Sequence, residues 1–266
     1  MKRVFLFVAL VCISLSAFAA KPKFEVKHIE PLSWWVGMNT PLQLMINGNG
    51  ISEYDVAILP QGHGVEVKAV HKADSPNYLF VDVAIAPTAK AGEYTLRFTS
   101  GKAKHDVKYR IDERKAGSRE RESFTNADFV YLIMPDRFAN GDPSNDNTKD
   151  TQEKVDRSKP WLRHGGDLQG MIDHLDYIAD LGATAIWSTP LLLDNENGAS
   201  YHGYSCSDYY RIDPRFGSNE LYKTYVEECH KRGLKVIMDI VPNHSSTTHW
   251  WYNDQPFADW THQWDK

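Results

Sequence analysis

The apolar residues of this chain change their period part way along, and that change constrains the fold more than any other feature. From Lys23 to Ile111 they alternate with polar ones, as in Val65-Glu66-Val67, Val81-Asp82-Val83-Ala84-Ile85 and Tyr94-Thr95-Leu96-Arg97-Phe98-Thr99. Successive strand side chains face opposite ways, so a period of two marks strands with one buried face. Turn residues separate these runs at Asn47-Gly48-Asn49-Gly50, Ser75-Pro76-Asn77 and Ala91-Gly92. Short alternating strands with such turns predict a small antiparallel β-sandwich. Asp112 to Asn126 is charged, carries Gly117 and Ser118 and shows no apolar period, which reads as a linker.

Beyond the linker, short apolar runs alternate with helical patterns. Asp128 to Met134, Thr184 to Ser188 and Lys235 to Asp239 read as buried strands. Leu168, Met171, Ile172, Leu175 and Ile178 mark the face of one helix, closed by Gly182, and Tyr222, Tyr225, Val226 and Cys229 mark another. Three strands and two helices in this order are the opening of a (β/α)8 barrel. A whole barrel takes about 250 residues, and the stretch from Thr125 to Lys266 falls well short. The expectation is a barrel that is incomplete in this chain.

In a parallel α/β fold, polar groups at the carboxyl end of a strand sit where ligands bind. Asp239, Asn243 and His244, in Asp239-Ile240-Val241-Pro242-Asn243-His244, occupy that position after the third strand. Taken alone, Asp239 reads equally well as a carboxylate that caps its own neighbours.

A second cluster lies after the first strand. Asn140-Gly141-Asp142-Pro143-Ser144-Asn145-Asp146 crowds Asn140, Asp142, Asn145 and Asp146 into one loop, and Gly165-Gly166-Asp167 offers a carbonyl and a further carboxylate. Hard oxygen donors at this density suit Ca²⁺, although the spacing is not that of an EF-hand. A solvated loop of Asx turns is the alternative.

Composition bounds the rest. With 266 residues, 42% hydrophobic and 24% charged, the chain has room for about two domains. A net charge of -5 gives no footprint for nucleic acid or an anionic membrane. Met1 to Ala20 carries Lys2 and Arg3, an apolar run from Val4 to Leu15, and Ala17-Phe18-Ala19 before Ala20, the pattern of a cleaved secretory signal. That run is too short to span a membrane, and no other segment reaches about 18 apolar residues. Cys12 follows Val11, which is larger than a lipid-attachment site tolerates, so soluble export to a periplasmic or extracellular space is expected. Cys206 and Cys229 remain after cleavage; an oxidising compartment permits their pairing without demanding it.

Four motifs carry a resemblance to a known family. Asp-x-x-x-Asn-His after a strand resembles the first signature region of the α-amylase superfamily of glycoside hydrolases. Tyr201-His202-Gly203-Tyr204 and Asp208 to Gly217 resemble its loop after the second barrel strand, and Phe129 to Asn147 resembles its first strand and following loop. Pro31 to Ile51 is similar to the amino-terminal domain of neopullulanases and cyclomaltodextrinases. With the signal pattern at 1–20 and a linker at 116–126, the resemblance implies an immunoglobulin-like β-sandwich at 21–115 and the first three strands of the catalytic (β/α)8 barrel at 127–266.

It also implies roles. His244 donates to a hydroxyl of the glucose whose bond is cut, Tyr204 stacks beneath that ring, and His202 lies beside it. Asp239 and Asn243 support the site, and Asn140, Asp142, Asn145, Asp146, Gly165 and Asp167 match a structural calcium site. Retaining hydrolysis of an α-1,4-glucosidic bond needs two carboxyl groups about 5–5.5 Å apart. In the family they follow the fourth and fifth strands, so no catalytic residue is expected in this chain, and the chain by itself is expected to be inactive. The implied ligand is an α-glucan or maltooligosaccharide, from starch, cyclodextrin or pullulan. The implied partner is a second copy, joined through the amino-terminal domain. A transglycosylase, or a non-catalytic glucan-binding or oligomerising module built on the sandwich, are the rival readings.

Three aromatic or imidazole groupings stay outside the motifs. Trp34 and Trp35 invite a glucan platform, but strand neighbours face opposite sides, so at most one is core and packing or an interface is favoured. Trp250, Trp251, Trp260 and Trp264 either extend the cleft or pack on barrel surface. His63, His71 and His105 have no metal spacing and read as solvated or core histidines.

Overall fold

A computed structural model describes residues 23–264, and the signal reading at 1–20, with Cys12, lies outside them. The chain divides between Arg114 and Lys115 into two units.

In the first unit the alternating segments form eight strands: β1 (Glu25–Glu30), β2 (Ser33–Trp35), β3 (Leu42–Asn49), β4 (Asp55–Leu59), β5 (Val65–Lys72), β6 (Tyr78–Ile85), β7 (Gly92–Ser100) and β8 (Ala103–Asp112). They build two four-stranded sheets, ordered β1-β3-β6-β5 and β2-β8-β7-β4. All pairings are antiparallel except that of β2 with β8. Alternation decides what points inward: Tyr94, Leu96 and Phe98 of β7 are buried, and Thr95, Arg97 and Thr99 between them are not. Leu44 and Ile46 from one sheet meet Leu96, Phe98 and Ile111 from the other in a single core. Each such side chain contributes about 1.5–3 kcal/mol by leaving water. Outside, Arg97 forks onto Asp106 across the β7–β8 pair, with Nε to Oδ1 at 2.7 Å and Nη2 to Oδ2 at 2.6 Å.

Trp34 packs against the sandwich core and Trp35 does not, as the alternation argument expects, yet the two indoles are not fully separated. Their rings stack on each other, with centroids 4.9 Å apart and planes 27° apart, and both are half-buried. β2 is a three-residue edge strand that runs straight into a turn at Val36, too short for the pleat to hold the two indoles fully apart. His105 stacks on Phe24 at 4.0 Å and His71 Nε2 meets Asp82 Oδ2 at 2.7 Å, so both histidines serve packing or surface pairing.

The second unit is built on β9 (Val130–Ile133), β10 (Ala185–Ser188) and β13 (Lys235–Met238), which pair in parallel in the order β13-β10-β9. Between β9 and β10 come α1 (Leu168–Asp173) and α2 (Leu175–Asp180). Between β10 and β13 come the short antiparallel pair β11 (Leu192–Leu193) and β12 (Asp208–Ile212), then α3 (Asn219–Lys231). α4 (Trp250–Asn253) follows β13. Among the described residues this parallel sheet has three strands and does not close, so the barrel is incomplete as expected.

The single helix expected from Leu168 to Ile178 is two. His174 sits between them at φ -114 and ψ 13, and its N–H bonds three residues back to Met171 O, so the helical ladder tightens and breaks there. The apolar face survives the break: Leu168, Met171, Leu175 and Ile178 are all fully buried. With Tyr225 and Cys229 of α3 they cover Tyr131, Ile133, Ile186 and Val236 on one face of the sheet. The register places Leu132, Trp187 and Ile237 side by side on the other face, where Leu132 is 56% and Trp187 39% exposed.

At the base of the sheet Asp128 ties the strands together. Its carboxylate accepts from Thr125 N–H at 2.6 Å, Thr184 Oγ1 at 2.8 Å and Lys235 Nζ at 2.9 Å, and these donors hold it down at about 2. Cys206 and Cys229 are both buried and unpaired, and burial pushes each thiol up to about 12.

Candidate functional site

The inward face of the parallel sheet leads directly to the site. Asp239 follows β13 two residues after Ile237, so it continues the Leu132–Trp187–Ile237 side. Trp187 Nε1 donates to Asp239 Oδ2 at 3.0 Å, and Tyr204 OH donates to the same oxygen at 3.2 Å. Burial, and then the charge of Asp239, push the Tyr204 phenol above its ordinary range and keep it a proton donor. Tyr204 remains 38% exposed, so part of the ring is open to a ligand.

His244 is held by both ring nitrogens. Nε2 lies 2.9 Å from Tyr204 O, and Nδ1 lies 3.1 Å from Asn243 Nδ2. A carbonyl only accepts and an amide NH₂ only donates, so the consistent tautomer carries its proton on Nε2. An acceptor on a ligand that bonds the His244 N–H must therefore displace the bond to Tyr204 O. His202 Nδ1 accepts from Tyr204 N–H at 3.0 Å, which fixes the loop between the two, and burial pulls the His202 pKa down so that the ring stays neutral. Tyr204, His202, Asp239, Asn243 and His244 thus lie within one hydrogen-bonded group.

Under this loop runs a buried ionic network. Arg215 grips Asp213 with Nε to Oδ1 at 2.9 Å and Nη2 to Oδ2 at 2.7 Å, and Arg163 Nη1 approaches Asp213 Oδ2 at 3.6 Å. Burial alone would raise Asp213, but the two guanidiniums outweigh it and hold the carboxyl below its ordinary range. Arg163 also faces Asp136 at 3.7 Å. Asp194, without such a fork, is pushed up to about 7 by burial. The loop after β10 that carries Tyr204 is therefore anchored from below by charge.

The oxygen-rich loop also converges. Asp167 caps α1, taking Gly170 N–H at 2.7 Å and Gly141 N–H at 3.0 Å on Oδ1, and Asp142 N–H at 2.9 Å on Oδ2. Asn145 Nδ2 donates to Asp167 Oδ2 at 3.1 Å and Asn140 Nδ2 donates to Asp146 Oδ1 at 2.7 Å. Asp142 Oδ1 takes the N–H of Ser144 at 3.0 Å. Gly165 adopts φ +87, and a Cβ there would stand 2.4 Å from Asp146 Oδ1, so only glycine fits. The amide oxygens of Asn140 and Asn145 are buried with no hydrogen-bond partner. Two orphaned acceptors among carboxylates are what a bound cation would satisfy. Among the described residues no three His, Cys, Asp or Glu side chains converge as a metal cluster by themselves, and the three carboxylates of the loop share it with the amide oxygens of Asn140 and Asn145 and the Gly165 carbonyl.

Sequence reasoning overlooked Trp187 and Tyr209. Trp187 was detectable as a bulky aromatic one residue before the end of a barrel strand. Tyr209 places its OH 2.9 Å from His244 O and 3.1 Å from Val241 O, a contact across more than 30 residues that no local pattern announces. The late tryptophans are split: Trp251 packs on His249 at 4.3 Å and meets Trp260 edge-on at 6.0 Å, whereas Trp264 is 84% exposed. Tyr209, His244, Trp251 and Trp260 line a cavity of about 480 Å³.

Residues 132–265 match the family model of the alpha amylase catalytic domain, and residues 28–115 match that of the cyclomaltodextrinase N-terminal domain. Similar curated proteins include a cyclomaltodextrinase of Geobacillus thermopakistaniensis, 43% identical over 129 residues, covering 48% of this chain and 20% of that protein. Neopullulanase 2 of Thermoactinomyces vulgaris is 42% identical over 126 residues, covering 47% and 21%. A cyclomaltodextrinase of Thermoanaerobacter pseudethanolicus is 46% identical over 123 residues, covering 46% and 20%. The matched stretch of this chain spans about a fifth of the length of these relatives.

Proposed function

This chain belongs to the alpha-amylase family, and on that premise we propose that it is the amino-terminal part of an exported glycosidase acting on α-1,4-glucosidic bonds of starch-derived oligosaccharides, cyclodextrins or pullulan. The observation that carries the reading is the convergence of Trp187 and Tyr204 on Asp239 beside His244, at the carboxyl end of parallel strands. The relatives named cyclomaltodextrinase and neopullulanase support the substrate class.

In this reading Tyr204 lays its aromatic face against the C–H side of a pyranose ring. Asp239 holds the Tyr204 phenol and so fixes the tilt of that ring. Asn243 keeps the His244 proton on Nε2, where a sugar hydroxyl reaches it by displacing the Tyr204 carbonyl. Asp239 is a support residue: its Oδ2 is already engaged by two donors. Retention needs a nucleophile and an acid about 5–5.5 Å apart, which the family takes from later strands, so residues 1–266 by themselves should release no reducing sugar from maltohexaose. Asn140, Asp142, Asn145, Asp146, Gly165 and Asp167 fit a calcium ion, which would bind the first loop to the start of α1 as a structural tie. We place homodimer formation in the β-sandwich on the resemblance, and export in the charged-then-apolar pattern of residues 1–20.

The direct test is maltohexaose binding to the chain, followed by intrinsic tryptophan fluorescence, since Trp187 stands in the site. Tyr204→Ala should weaken binding by about tenfold, the loss of one stacked ring and its hydrogen bond. Equal binding by the variant would remove Tyr204 from the site.

A further inference from the structure

We propose that Glu153 is a positioning residue for the substrate loop: its buried carboxylate clamps the Ala199–Ser200 turn in a left-handed conformation and so sets where His202 and Tyr204 stand. The proposal deepens the sugar-binding reading of Tyr204 and rests on it.

Ala199 has φ 57 and ψ 18, and among the described residues it is the only non-glycine with a positive φ. Left-handed backbone brings the Cβ of an L-residue against its own carbonyl. Such a residue persists only where its surroundings overdetermine it, and it tends to mark functional loops. Glu153 supplies that determination from 46 residues away. Its Oε1 accepts Ala199 N–H at 3.1 Å, and its Oε2 accepts both Ser200 N–H at 2.7 Å and the Ser200 hydroxyl. Three donors on one carboxylate are charge-assisted bonds, stronger than neutral ones. Glu153 is 4% exposed, so water does not compete for them.

The clamp is itself held. Glu153 O accepts from Arg215 Nη1 at 3.1 Å, and the neighbouring Gln152 bonds Asn195 through its N–H at 2.9 Å and its Nε2 at 2.7 Å. Arg163 Nη1 donates to Ser200 O at 3.1 Å, and the Arg137 guanidinium lies 4.1 Å over the Tyr201 ring. The turn then passes through Ser200–His202 to Gly203 and Tyr204, with no free segment between the clamp and the stacking ring. A carboxylate on one loop thus dictates the geometry of the ring that meets the sugar.

The test uses amide hydrogen exchange of peptides covering residues 197–204, alongside maltohexaose binding. Glu153→Gln keeps the size but turns an NH₂ toward backbone N–H donors. It should speed exchange in that segment by about tenfold and weaken maltohexaose binding by about fivefold. Adding Ala199→Gly, which enters the left-handed region freely, should return maltohexaose binding to within about twofold of the parent, while exchange stays fast because the Ala199 and Ser200 amides still lack their carboxylate. A double variant that binds as weakly as Glu153→Gln overturns the proposal, because a merely structural core acid would not be rescued at residue 199. If Glu153→Gln does not fold, Ser200→Ala removes only the hydroxyl bond, and unchanged exchange in that variant overturns the proposal as well. Tyr204→Ala separates the two readings. If it abolishes binding while Glu153→Gln leaves affinity intact, the positioning role fails and the sugar site stands; if it leaves binding intact, the sugar site fails and the exchange arm still decides the clamp.

Discussion

The two units solve the same problem, covering a sheet, in different ways. The β-sandwich lays one four-stranded sheet on another, so Leu44, Ile46, Leu96 and Phe98 are sealed on the only faces that need sealing. The parallel sheet of the second unit has helices on one face only, and Leu132 and Trp187 on the other stay 56% and 39% exposed. Antiparallel sheets tolerate one wet face, whereas parallel sheets are built to be covered on both. The first unit is therefore closed on its own residues, and the second keeps an apolar face turned toward the site. The second unit has its own core on the helix-covered face, with Leu168, Met171, Leu175, Ile178 and Ile186, and beside it buries the ions Arg163, Asp213 and Arg215, which must stay paired because an uncompensated buried charge is costly.

The largest effect should come from breaking that network. Asp213→Ala leaves the buried Arg215 without its acid and Arg163 facing Asp136 alone, which costs about 3–5 kcal/mol. In urea, followed by probes specific to each unit, the transition of the second unit should collapse while that of the sandwich stays in place. An unmoved second transition would show that the ions are dispensable. The counterpart is Leu96→Ala, expected to cost about 2–4 kcal/mol through lost burial and the cavity it leaves. That loss belongs to the sandwich alone, and equal shifts in both transitions would mean that the units unfold as one.

Calcium offers an intermediate effect. At a hundred times its dissociation constant, a single bound ion should raise stability by about 2.7 kcal/mol, in the second unit only. A melt insensitive to both added Ca²⁺ and chelator would leave the orphaned oxygens of Asn140 and Asn145 without a cation. Gly165→Ala, forced against Asp146, should abolish the response. The smallest effect is that of acid on Asp128. Its folded pKa is about 2, below the ordinary unfolded value of about 3.9, so its contribution is present above pH ~4 and is lost as pH falls toward ~2. Asp128→Asn should flatten that part of the melting-temperature profile of the second unit, and a profile identical to the parent would assign the acid sensitivity to other carboxylates.

Much of the fold was legible because it follows from local periodicity. Tyr94, Leu96 and Phe98 announce an inward face without reference to anything distant, and so do the apolar positions from Leu168 to Ile178. Local patterns failed where a neighbour changed the geometry. His174 breaks the helix although the apolar spacing runs through it, and Trp34 and Trp35 stack because their strand ends at once in a turn. In the site, the motif spacing picked out Asp239, Asn243 and His244 as strand-end groups. It was blind to Trp187 as the partner of Asp239 and to Glu153 as the holder of Ala199, since both contacts join residues far apart in sequence.

The sequence alone determined the order and kind of the elements, the two-unit division of period, and which loops carry oxygen, imidazole and phenol groups. These are properties of short windows, where side-chain period and turn chemistry act without help from the rest of the chain. Only the tertiary structure decided that Tyr204 and Trp187 share one oxygen of Asp239, that His244 carries its proton on Nε2, and that Ala199 is held left-handed. Each of these depends on angstrom-scale distances between segments tens of residues apart, and such distances are set by packing, which no single segment contains.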